Sequence, residues 1–221
     1  MSQDATLTPT DPRTLAQIIL KAVWWSIFLG LFVQVMILVV KTTMPSAKTI
    51  PDVGQRVTWS VLVCSGLAVG NTLAKARPLL LGFTGLLAGP VAFAVAKAAQ
   101  KSLGASGAAG TFPVPSGIEL AIMRAIEYGL FGILIGYAGR RGNLKSYLVT
   151  GAGLGLVFTV YHLTRIANFN ETSPPAIELV TRGINELLFP IGCALILWVT
   201  TEVGSRLADY VAGQNPVPAN A

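Results

Sequence analysis

The chain has 221 residues, of which 52% are hydrophobic and only 12% charged, and its mean hydropathy is +0.63. A water-soluble domain of this composition would leave too much apolar surface in water, and about five to seven membrane spans leave no room for a soluble domain of typical size. The net charge of +6 would point to nucleic acid in a soluble protein; here the basic residues flank apolar runs, where they orient helices and meet anionic lipid, so no nucleic-acid partner is expected.

Residues 1–13 are polar and read as a disordered tail; they lack a basic stretch ahead of a signal-peptide core. Leu15 opens a helix that is apolar from Ala22 to Val40, with Lys21 placed to snorkel and Trp24 and Trp25 at the depth of an aromatic belt. A loop with Pro45 and Pro51 leads to a second span over 57–74. The tight basic turn Asn71–Pro78 leads to a third over 79–99. Residues 100–116 are rich in Gly, Ala and Pro and read as a loop. A fourth span covers 117–138, the basic turn Gly139–Lys145 follows, and a fifth span covers 146–167. After the loop Asn168–Pro175, a sixth span runs over 183–203 and gives way to a disordered tail at 208–221. The predicted fold class is all-α: one polytopic transmembrane bundle over 14–207.

Orientation follows from the short turns. Lys75 and Arg77 in one, and Arg140, Arg141 and Lys145 in the other, are basic without an acid, whereas the opposite loops mix Lys48, Arg56 and Lys101 with Asp52, Glu171 and Glu178. The positive-inside rule then puts both termini in the cytoplasm, and the expected location is a bacterial inner membrane. On that topology the sequon Asn170-Glu-Thr172 faces outward, a weak three-residue pattern.

Gly66, Gly70, Gly85 and Gly89 recur in ungapped register as Gly132, Gly136, Gly151 and Gly155. Each set is two Gly-x-x-x-Gly steps on successive apolar helices, the spacing that lets helix backbones pack closely in lipid, and the pair reads as a helical-hairpin repeat. A rival division is an inverted three-plus-three arrangement that overlays Pro12–Phe28 on Pro115–Phe131 and sets Pro90 opposite Pro190.

Ionisable side chains within a span are costly and are therefore functional candidates. The sequence places Arg124 and Glu127 on one face of span four, His162 and Arg165 at the end of span five, and Arg182 and Glu186 at the start of span six as an i, i+4 pair. All six fall in the outer half of the bundle and form the candidate substrate or ion pathway. Pro90 and Pro190 are expected helix breaks, the latter freeing the Glu186 carbonyl. The bland alternative is that the arginines snorkel to headgroups and the glutamates pair with them. Cys64 and Cys193 read as small packing residues, and a single histidine excludes bis-histidine haem ligation and a multi-histidine metal site. No metal or cofactor is expected.

Enzyme motifs are incomplete. Gly104-Ala-Ser-Gly107 has the Gly-x-Ser-Gly form of rhomboid proteases, but Ser106 lies in a loop and His162 lacks that family's following small-residue spacing. Asn185–Pro190 departs from the Glu-Glu-x-x-x-Arg motif of CAAX-type proteases at both ends. The sequence thus predicts a non-enzymatic multi-pass membrane protein that moves a small solute or ion. The alternative is a membrane subunit or assembly factor whose glycine faces dock other helices. The expected partners are the lipid bilayer and either a second copy or a larger membrane complex.

Overall fold

The structure is a computed structural model that describes residues 12–44, 46, 49–74, 77–104, 117–169 and 175–214. Among them are six helices and no strand: α1 (Pro12–Lys41), α2 (Ile50–Ala74), α3 (Pro78–Ser102), α4 (Gly117–Gly139), α5 (Leu144–Phe169) and α6 (Ala176–Gln214). Four of them, α1, α3, α5 and α6, are long and apolar enough to cross a membrane, which fits a membrane-embedded protein. Of the other two, α2 opens with Asp52 and Arg56, and α4 carries Glu119, Arg124 and Glu127.

Two helices are longer than their apolar runs. α2 begins at Ile50 rather than near 57, because Pro51 is compatible with a first helical turn and Asp52 complements the helix N-terminus. α6 begins at Ala176, directly after Pro175, and remains helical through 208–214, where the composition had indicated a disordered tail. Neither Pro90 nor Pro190 breaks its helix: α3 and α6 run continuously through them. A proline removes one ladder bond, and inside a packed bundle the neighbouring turns hold the helix together.

Consecutive helices are antiparallel, and glycines mark their closest approaches. A Cβ on Gly66 would lie 3.3 Å from that of Ala88, and one on Gly70 would meet Thr84, which pairs α2 with α3. Between α3 and α4, a Cβ on Gly85 would run into the carbonyl of Tyr128, one on Gly89 into that of Arg124, and one on Gly132 into that of Leu81. Between α5 and α6, a Cβ on Gly151 would sit 2.8 Å from the Pro190 carbonyl oxygen, and one on Gly155 3.0 Å from that of Leu187. The two proposed repeat units do not pack alike: the α2 glycines face the following helix, whereas Gly132 and Gly136 on α4 face the preceding one. α4 and α5 consequently diverge along one side.

The core joins Cys64 and Leu67 of α2, Leu81 of α3, Tyr128 and Phe131 of α4, and Leu197 of α6. Large apolar side chains also point outward, among them Trp24, Phe28, Leu79, Ile118 and Val157, each more than 60% exposed. That surface suits hydrocarbon and not water. Several hydroxyls inside the helices bond back to the carbonyl one turn earlier, as Ser26 does to Ala22 and Thr200 to Ile196, so these need no partner outside their own helix.

Candidate functional site

α4, α5 and α6 bring four ionisable side chains together. Arg124 and Glu127 lie three residues apart on α4 and so share a face, and the Arg124 guanidinium reaches across to Glu186 on α6. Its Nη1 donates to Glu127 Oε2 at 2.5 Å and to Glu186 Oε2 at 2.6 Å, while Nη2 donates to Glu186 Oε1 at 2.5 Å. The bond to Glu186 is the bidentate fork that only arginine can make. His162 enters from α5 with Nε2 at 3.7 Å from Glu127 Oε2 and 4.0 Å from Glu186 Oε2. Trp59 of α2 closes the group from below: the Arg124 guanidinium lies 5.2 Å from its ring centre, and its ring meets Tyr128 edge-on.

Two features set this group apart from a simple ion pair. Glu127 is 1% exposed and His162 7%, yet Glu127 Oε1 and His162 Nε2 have no hydrogen-bond partner among the described residues. The contacting groups also fail to balance, with one guanidinium facing two carboxylates. A buried surplus charge with an unsatisfied lone pair is costly in an apolar bundle.

Glu127, His162 and Glu186 offer ligand atoms that all lie within 4.8 Å of one another, so these three residues could hold a metal ion. The donor set of two carboxylates and an imidazole suits a divalent transition metal. Such an ion would have to compete with Arg124 Nη1, which already occupies Oε2 of both glutamates.

The remaining sequence candidates lie elsewhere. Arg165 pairs with Glu119 near the ends of α5 and α4, in a contact that leaves the two side chains 43% and 36% exposed. Arg182 turns back one turn to Glu178 at 3.2 Å instead of forward to Glu186, because Arg124 has taken that carboxylate. Both are the partly exposed pairs expected of interfacial arginines. Ser106, Lys75 and Asn170 lie outside the described residues.

A second polar group escaped the sequence reading. Arg56 of α2 donates through Nε to Asn185 Oδ1 at 3.3 Å, through Nη1 to Gln34 Oε1 of α1, and to its own helix at the Asp52 carbonyl. Nearby, Gln100 of α3 donates to Asp52 Oδ1 at 3.0 Å, and Lys97 donates to Gln100. The buried Gln34 within the apolar α1 run was the available signal, but an uncharged amide is easily passed over when charges are sought. Asn185 and Glu186 are adjacent, so α6 joins the two groups into one polar layer. No family model, no curated protein and no solved structure matches this chain.

Proposed function

We propose that the chain is a multi-pass integral membrane protein whose six helices cross the bilayer with both termini in the cytoplasm. On this reading it moves a small solute or ion, and Arg124, Glu127, His162 and Glu186 form the point at which a cation, in the simplest case a proton, is held on its way. The observation that carries this reading is the buried Glu127 carboxylate, with one oxygen unpartnered and the other facing an unpartnered imidazole nitrogen at 3.7 Å. A pair built only for stability would satisfy both atoms. One guanidinium between two carboxylates leaves a negative charge that a bound cation would offset, and the His162 imidazole faces both carboxylates.

The test is proton flux into vesicles reconstituted with the full-length protein, read by a pH-sensitive dye trapped inside under an imposed pH gradient. The wild type should conduct, and Glu127→Gln and His162→Ala should each lower the rate at least tenfold while remaining monodisperse. Flux that is unchanged in both variants removes the site assignment.

A further inference from the structure

Below the polar layer, towards the basic turn, α4 and α5 part to leave a groove of 1040 Å³, at the upper end of the ~300–1,000 Å³ typical of small-molecule sites. Its walls are the outward apolar side chains Leu130 and Leu134 of α4 and Val149 and Val157 of α5, and its floor is Leu154 and Phe158. At one end the lining becomes cationic: Arg140, Arg141 and Lys145 surround the mouth, and among the described residues no acidic side chain lines the groove. Gly142, with φ +66°, bends the chain sharply there, and Arg140 is steadied over the Tyr137 ring at 5.0 Å. The result is a long apolar slot with a positive mouth.

Gly153 adds an independent observation. In the run Gly151-Ala-Gly153-Leu-Gly155, the first and third glycines press against α6, but Gly153 points the opposite way into the groove, and a Cβ there would meet nothing within 4 Å. A glycine inside a helix lowers helix stability, and here no neighbouring helix gains by it. Its effect is to keep the slot open.

We infer that this groove holds an anionic phospholipid, with an acyl chain between α4 and α5 and the phosphate at Arg140, Arg141 and Lys145. The charge pattern selects the occupant. A zwitterionic lipid or a second copy of the chain would fill the apolar slot equally well, but neither requires three cations clustered at its mouth. Each basic side chain beside an anionic headgroup favours it by roughly fivefold. The inference rests on the membrane reading of the bundle and is independent of the proton path.

The full-length protein, reconstituted in nanodiscs of mixed phosphatidylglycerol and phosphatidylcholine, would be released and its bound lipid identified by native mass spectrometry. Phosphatidylglycerol should be retained more than tenfold over its share of the mixture. The variant with Arg140→Gln, Arg141→Gln and Lys145→Gln should lose that preference. Gly153→Leu should lose the bound lipid itself with helicity unchanged, because its side chain enters open space. Glu127→Gln should bind lipid as the wild type does, so that loss of flux and loss of lipid are separately readable. Retention without headgroup preference overturns the inference, as does a preference that survives the charge and Gly153→Leu variants. A dimer that Gly153→Leu converts to a monomer would also overturn it, by showing the groove to be a contact between copies.

Discussion

Arg124 holds the site together: it pins Glu186 with a bidentate fork, bonds Glu127 on its own helix and rests on Trp59. Removing one partner from a buried ion pair costs ~3–5 kcal/mol, because the remaining charge stays buried, whereas removing both is far milder. Arg124→Gln should therefore destabilise the protein by about that amount, measured by unfolding in mixed detergent micelles. Adding Glu186→Gln to the same chain should recover a substantial part of the loss, since only Glu127 then remains as an uncompensated acid. Additive losses from the two substitutions would mean that the pair is not coupled as its geometry requires. The four residues of this group were legible as ionisable side chains inside apolar runs. Their exact pairing was not: spacing alone favours an Arg182–Glu186 contact along α6, and only the packing of α4 against α6 shows that Arg124 claims that carboxylate.

At the scale of helices, the glycines shape the site as well as the packing. Gly85 and Gly89 of α3 lie against the carbonyls of Tyr128 and Arg124, the two ends of the α4 turn that carries Glu127. A side chain at either glycine would push against backbone, which cannot rotate away. Gly89→Leu should cost ~3 kcal/mol or more by overpacking and should lower proton flux by displacing Glu127. Gly153→Leu, on an open face, should be neutral or stabilising by up to ~1 kcal/mol through helix propensity. The same unfolding measurement compares the two, and equal losses would show that the distinction between packed and open glycines is wrong. The glycine register was plain in the sequence, but its partners were not, because identical spacing on α2 and α4 is satisfied by the next helix in one case and the previous helix in the other. By sequence Arg56 reads as a loop residue for a related reason: the segment Ile50–Arg56 has no apolar periodicity, and its helical start depends on Pro51 and Asp52.

For the whole bundle, the decisive question is how the later helices close on the earlier ones, because a row of successive hairpins would keep α2 and α6 apart. They are instead neighbours, tied at three heights. Arg56 bonds Asn185 near one end, Cys64 and Cys193 lie in the same buried core cluster, and Asn71 Nδ2 donates to Thr201 Oγ1 at 2.9 Å near the other end. The separations along the chain are 129 residues for the first tie and 130 for the last, so the two helices run parallel, as the second and sixth members of an alternating bundle must. Hydropathy marks the apolar run within each helix, but it carries no information about such a contact: every apolar face is an acceptable neighbour for every other, and lipid is acceptable to all of them. The buried cysteines supply a direct check. Iodine is small and apolar enough to reach them, and it should link Cys64 to Cys193 within one chain in intact membranes, giving a species that migrates faster on a non-reducing gel. Cys64→Ala and Cys193→Ala should each abolish it. If iodine leaves the two cysteines unlinked or links them only between chains, α6 does not lie against α2. The polar layer that depends on Arg56, Asn185 and Glu186 sharing one end of the bundle would then have to be abandoned with it.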